Sequence, residues 1–500
     1  MNSQEDVDIS KFRTDRPWRA AVDVPSHPTL RLVALTYVFA GLCHLWLADA
    51  WQVEWIPGNI FFFIGLVILI VRPCALAWAM CAVGKLLPLL FARDHLTQSL
   101  LLMVFATGGT LFLGLRAYLA TCPGRLKRRT TSYGEISPHL LAFFDLLKLT
   151  TIATYLLAAF HKINRDFFDP DVSCAVLGLD KLADHYSTTL PAIPENWFLA
   201  TAVGVIVLEA SIGLLYILRR RRLALIAALI FHIPLTLTVA PAFAFVMLAG
   251  HAAFLRPADL SVFKDFLRRR GPAVAAAATA TTALSLLLGT IPFGQHSMIP
   301  REWILWALLF TALFARPWHP ETSQGRATCQ AARPFLRRAL HPRTIAWTMA
   351  LVFTLHGLTP YLGIRFQHTA AMVSNLRIDE GCHNHLVMPE SLRLRDDYIR
   401  IDEAYFVEPG HLPKYEAITT EQLWNGPMIR QMQINWCRDN LRPFYMSGTF
   451  RDRSFQIEDL CAEDLQWPFA DDGIFGRQLF ADHLRFQRNL QRECPQKCIH

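Results

Sequence analysis

The residues that could do chemistry stand out because their surroundings are apolar. The run Phe160-His161-Lys162-Ile163-Asn164-Arg165-Asp166-Phe167-Phe168-Asp169-Pro170 sets a histidine, a lysine, an amide and three acids or bases more at the end of a long apolar stretch. Other ionisable groups lie inside such stretches: His44, Lys85, Asp145, Lys148, Glu209, His232 and His251. His95 follows Arg93-Asp94 in a short polar turn. Ionisable groups in apolar spans are costly, and each is by default a functional hypothesis. A lysine in an apolar site can give up its proton and serve as a base, and a nearby histidine can take or return a proton at neutral pH. The chemistry in view is proton transfer, with Lys162 as base and His95 as its partner. Plainer readings stand beside it. Lys85 and Lys148 can snorkel from helix ends, His44 and His251 can bond backbone carbonyls between helices, and the 160–170 cluster can be an interfacial cap. Glu209, in Val-Ile-Val-Leu-Glu-Ala-Ser-Ile, is harder to dismiss, because a charge there needs a partner.

The elements that must position these groups are membrane helices. The chain has 500 residues, 53% hydrophobic and only 18% charged, against about 25% charged in soluble proteins. About 20 apolar residues cross a hydrocarbon layer as a helix, and such blocks follow one another to about residue 365. Spans are expected at 31–48, 55–71, 74–92, 97–119, 139–161, 198–218, 223–240, 242–255, 273–291, 302–316 and 344–364, about eleven in all. Basic residues gather in alternate short loops: Lys11 to Arg19, Arg125 to Arg129, Arg219 to Arg222, Lys264 to Arg270, and Arg326 to Arg343. With eleven spans all of these fall on one side, the cytoplasmic one. The expected organisation is a cytoplasmic segment over 1–30, an all-α polytopic membrane bundle over 31–365, and a tail domain over 366–500 in a periplasm or organelle lumen, with a bacterial inner membrane favoured over the endoplasmic reticulum. Residues 1–30 do not read as a cleavable signal peptide.

The tail reads as a small α+β domain. Tyr398 to Phe406 alternates like a strand, Phe444 to Ile457 reads as a hairpin turning at Ser447-Gly448, and Thr420 to Asn435 and Gln478 to Arg492 have helical spacing. On this topology Cys174, Cys382, Cys437, Cys461, Cys494 and Cys498 face outward, an even number on a side that permits disulfides. Their pairing cannot be read from sequence. The net charge of +8 belongs to the basic loops rather than to nucleic-acid binding, and no histidine spacing within one helix suggests a metal site.

The segment Ala158 to Phe167 resembles the signature of vitamin K-dependent gamma-glutamyl carboxylase and its bacterial relatives, the horizontally transferred transmembrane domain family. Three further stretches are similar to that family: His95 with the following Leu-Thr-Gln-Ser-Leu-Leu-Leu-Met, Phe231-His232 followed by Phe243 to Ala249, and Ser374 to Gly381 followed by His383 to Pro389. The resemblance implies a lyase-like enzyme that couples oxidation of a reduced lipid quinone (vitamin K or menaquinone hydroquinone) by O2 to deprotonation of a substrate, with CO2 captured where the substrate is a glutamate of an exported peptide. It implies Lys162, His95 and His161 as catalytic residues, and His232, Glu209, Asn164 and Asp166 around the cofactor, at the outer face. Two other readings are carried: a quinone-linked oxidoreductase or partner subunit without carboxylation, and a non-enzymatic membrane scaffold or transport component. The absence of a paired half-helix repeat argues against a secondary transporter.

Overall fold

A computed structural model describes residues 27–47, 56–91, 97–121, 137–176, 194–238, 241–261 and 341–363, most of 369–406, and shorter pieces within 419–465 and 490–498, with isolated positions elsewhere. His95 and the expected spans at 273–291 and 302–316 lie outside the described residues.

The described part is mostly helical. The helices are α1 Pro28–Leu47, α2 Ile56–Val71, α3 Ala75–Phe91, α4 Thr97–Thr121, α5 Pro138–His161, α6 Glu195–Ile217, α7 Arg221–Thr238, α8 Pro241–Ala252 and α9 Pro342–Gly357. Four of them, α1, α4, α5 and α6, are long and apolar enough to cross a membrane, and α2, α3 and α8 are shorter apolar helices. Their boundaries follow local chemistry. Proline stands at the first helical positions of α5 and α9, where its missing N–H costs nothing. Pro241 separates α8 from α7 after Thr238. Hydroxyls inside α5 bond backward, Thr150 to the Leu146 carbonyl, Thr151 to Leu147 and Thr154 to Thr150, so these three do not face apolar neighbours unsatisfied.

Helix α5 is the centre of the bundle, packed against α6, α9, α4 and α8, while α1 packs on α8 and α2 on α3. The approach of α8 depends on Gly250, where a Cβ would come within 2.1 Å of the Thr151 hydroxyl. Lys85 does not snorkel: it is buried, with Nζ 4.1 Å from the centre of the Phe62 ring. The apolar ring face replaces water as its partner.

The tail carries a five-stranded antiparallel sheet, in the order β4-β3-β1-β2-β5, from β1 Ile399–Phe406, β2 Gln422–Trp424, β3 Pro443–Phe450, β4 Arg453–Ile457 and β5 Leu490–Gln491. The expected strand at 398–406 is β1. The expected hairpin exists, but its turn lies at Arg451, beyond Phe450. Ser447-Gly448 sits mid-strand instead, because a Cβ at Gly448 would lie 2.0 Å from the Arg400 carbonyl of β1, and only glycine permits that approach. Gln422 to Trp424, expected as helix, is β2: Leu423 and Trp424 are buried and pair with β1, and sheet pairing overrides local spacing. Leu490-Gln491 is likewise a strand; the rest of the helix expected from 478 lies outside the described residues.

Candidate functional site

Lys162 caps the C-terminus of α5, with backbone dihedrals that are still helical. Its stem runs back along the helix, and Nζ reaches the Ala158 carbonyl at 3.4 Å. There it meets Glu209 of α6, at 3.0 Å from Oε1 and 2.8 Å from Oε2. Both side chains are only 5% exposed. Glu209 is not at an end of α6 but well inside it, so the pair lies within the bundle rather than at its outer rim.

One heptad back from Lys162 on α5 is Tyr155, and one heptad on from Glu209 along α6 is Tyr216. A seven-residue step returns to the same helix face about 10.5 Å away. These phenols close a second buried polar layer. The Tyr155 hydroxyl is hydrogen-bonded to His232 Nε2 of α7 and, at 2.7 Å, to His251 Nε2 of α8. The Tyr216 hydroxyl lies 2.6 Å from His251 Nδ1. All four side chains are buried. A phenol has one proton, so Tyr155 donates to one imidazole and accepts from the other. Two proton arrangements satisfy the set: Tyr216 to His251 to Tyr155 to His232, or the reverse direction. A proton passed along this chain needs a group beyond Tyr216 to replace the proton given up there and one beyond His232 to take the proton that arrives; without them the ends would be left as a phenolate and an imidazolium.

The turn after Lys162 is held by the start of the tail. His161 accepts at Nδ1 from the Tyr361 hydroxyl at 2.8 Å and donates from Nε2 to the Thr369 carbonyl at 3.0 Å; the carbonyl fixes the tautomer. Asn164 donates to the carbonyls of His161, at 2.8 Å, and Ser374, at 2.5 Å, and its Oδ1 accepts from the Phe167 N–H. His385 donates to the Phe160 carbonyl and accepts at Nδ1 from the Val387 and Met388 amides. That geometry needs a neutral ring, and burial holds the imidazole below its ordinary range. Burial pushes the Asp166 carboxyl up, with Asn384 and Arg377 opposing the shift. Arg377 and Asp379, both buried, form a two-pronged ion pair at 2.9 and 2.7 Å. Disulfides Cys174–Cys498 and Cys382–Cys494 tie this clasp together, and Cys437–Cys461 lies in the tail. A cleft of about 340 Å³, its open mouth included, lies over the clasp, lined by Ser374, Asn375, Arg377 and Lys497 rather than by Lys162.

The structure therefore divides the expected site. Lys162 and Glu209 come together. His232 lies in the second layer. His161, Asn164 and Asp166 face the tail, where they bond backbone and neighbouring polar groups rather than Nζ. His251 bonds two phenols instead of a carbonyl. Tyr155 and Tyr216 were not singled out from the sequence, since an aromatic in an apolar helix reads as core; their heptad spacing from Lys162 and Glu209 is the signal that could have found them. No group of three or more His, Cys, Asp or Glu suited to a metal occurs among the described residues. Comparison of the chain with family models, curated proteins and solved structures gave no match.

Proposed function

We propose that the chain is a multi-pass membrane enzyme of the vitamin K-dependent carboxylase type, with about eleven spans, the basic loops in the cytoplasm and the tail domain outside, in which Lys162 takes a proton from a reduced lipid quinone. The observation that carries the reading is the buried Lys162–Glu209 pair between two long apolar helices. A base must first lose its own proton, and Glu209 is the acceptor, 2.8 Å from Nζ. The donor set suits a hydroquinone head group: an amine and a carboxylate, each able to accept a phenolic proton, in an otherwise apolar wall. A bound hydroquinone would supply the reducing equivalents for O2. The chain's own part is to hold Nζ, to take the proton, and to keep water away from it. Transfer in that order, an Nζ proton to Glu209 and then the hydroquinone O–H proton to Nζ, leaves the lysine charged once, the acid neutral and the hydroquinone as its monoanion. His95 remains the expected accessory proton carrier, and carboxylation of a glutamate in an exported peptide, with CO2, is the downstream step. The orientation is supported by the cysteines: one disulfide joins Cys174, in the turn after α5, to Cys498 of the tail, the other two lie within the tail, and disulfides persist on an oxidising side.

The test is epoxide formation by the detergent-purified protein given reduced vitamin K or menaquinone under air. Epoxide from the parent and at least about 100-fold less from Lys162→Arg is expected, the range of a lost general base. The arginine keeps the ion pair but cannot act as the base. Equal epoxide from both, or none from either, would sink the reading and favour a bundle in which the pair only joins two helices.

A further inference from the structure

We infer that residues 386–394, at the start of the tail, form a ledge embedded in the outer leaflet of the membrane, in contact with acyl chains just below the head groups. The inference rests on the membrane reading of the bundle, not on its chemistry. One end of the bundle is marked by charge: Arg343 pairs with Asp145 at 3.2 Å, Arg221 with Asp259 at 3.1 Å, and Lys148 lies over the Phe254 ring. Measured from this belt at about 1.5 Å per residue, Lys162 stands about 21 Å up α5, Glu209 about 15–18 Å up α6, and the end of α9 about 21 Å up. The backward bend of Lys162 to Ala158 brings the first two into register. A hydrocarbon layer is about 30 Å thick, so several ångströms of it extend beyond the end of α9 and beyond Lys162.

Helix α6 does reach across that remaining depth. Its outer half exposes Trp197, Leu199, Val203 and Val207. Its other face sets Phe198 and Ala202 against Phe167 and Cys174. What stands level with this outer half is thus irregular backbone, the turn after Lys162 and the first tail residues. Irregular backbone survives at membrane depth only where protein satisfies its polar groups. Asparagine side chains do so here: Asn164 bonds the Ser374 carbonyl, Asn375 the Val172 carbonyl, and Asn384 the Asn375 carbonyl. The ledge is joined to the end of α9 by the Leu394 amide on the Leu362 carbonyl. It exposes Leu386 (53%), Val387 (62%) and Leu394 (70%), with Leu392 also exposed. Its charges are paired, Glu390 with Arg393 at 3.3 Å. Exposed apolar side chains continue down α9 as Trp347, Leu351 and Leu355, on one face by their four-residue spacing. Lipid is the occupant this continuity selects.

The test places an environment-sensitive fluorophore on Val387→Cys, Leu394→Cys, Val352→Cys on α9 and Arg453→Cys on the sheet, in phosphatidylcholine proteoliposomes. Quenchers are a spin label near the top of the lipid acyl chain, and aqueous iodide. Labels at 387, 394 and 352 are expected to be quenched by the lipid label and not by iodide, and the label at 453 the reverse. Iodide quenching at 387 and 394, with 352 still lipid-quenched, overturns the ledge alone. Iodide quenching at 352 as well overturns the membrane reading beneath it. Quenching at 387 and 394 by neither places a protein surface there and overturns the lipid assignment. Should a new cysteine disturb the disulfides, a benzophenone side chain at position 387 reads the same question, by a crosslink to lipid or to protein.

Discussion

Two buried ion pairs, one in the bundle and one in the tail, are built to opposite ends. Arg377 and Asp379 are two residues apart, 1% exposed, and joined by both prongs of the guanidinium; a third nitrogen reaches the Glu493 carbonyl at 2.8 Å. The charge is spread, and each of the three guanidinium nitrogens has a partner. Lys162 and Glu209 come from different helices, and among the described residues the ammonium has, besides the carboxylate, a carbonyl at 3.4 Å. An arginine is not deprotonated in proteins, whereas lysine is the cation that serves as a base. The Arg377 pair is tied on several sides, whereas the Lys162 pair is tied mainly to one side chain; on the reading proposed above, that difference separates a clasp from a reactive pair.

Four experiments sharpen or break that contrast. The largest effect is expected for the activity of Lys162→Arg, described above, with the helical far-UV signal retained. Next is Arg377→Ala, which leaves Asp379 buried and unpaired; a loss of about 3–5 kcal/mol is expected, read as a lowered thermal midpoint in detergent and faster tryptic release of the tail. If Arg377→Ala leaves both unchanged, the clasp is not what holds the tail. Replacing both members of each pair comes third. Lys162→Met with Glu209→Leu is expected to stay within about 1 kcal/mol of the parent or above it, as apolar replacements of buried pairs often do. Arg377→Met with Asp379→Leu strands the Glu493 carbonyl and is expected to lose stability by about 1–3 kcal/mol. The reverse ranking would contradict the division. Tyr155→Phe leaves two imidazole nitrogens without their phenol and is expected to cost a similar 1–3 kcal/mol, roughly as any stranded buried group does, measured against Tyr118→Phe as an exposed control.

The smallest effect is a pH dependence of the clasp. The folded His385 binds its proton less readily than the ordinary value of 6.5, so the unfolded segment takes up more protons as pH falls through that value. The contribution of His385 is therefore complete above about pH 6.5 and shrinks below it. Release of the tail by an acid-tolerant protease should rise between pH 7 and 5, and His385→Gln should flatten the profile. An unchanged profile in that variant would remove His385 from the clasp.

How much of this could be read in the chain follows from what each signal depends on. The nine described helices are close to nine of the expected spans because a helix in lipid is specified locally, by length and hydropathy. Lys162 and Glu209 were each visible as polar residues out of place, but their pairing is a matter of how α5 and α6 pack. Cys174 and the tail cysteines could be counted but not paired, since pairing is decided by the fold. The sheet was legible at β1, where alternation is clean, and misread at Gly448 and Gln422 to Trp424, where a neighbouring strand decides. The clasp was not read as one: Asn164 was expected beside the cofactor rather than as a tie to the tail, and Asn375 and Asn384 look like ordinary loop residues until the carbonyls they serve are in view.

The Cys174–Cys498 bridge joins residues 324 apart in the chain. In terms of biogenesis, Lys162 is made early, while the strap beside it can be fastened only after the chain has been synthesised through Cys498 and that cysteine has reached an oxidising environment. Material produced where thiols stay reduced would carry an inserted bundle with an unfastened turn beside Lys162. Its activity, whatever the substrate, would then report the history of export rather than the chemistry of the site.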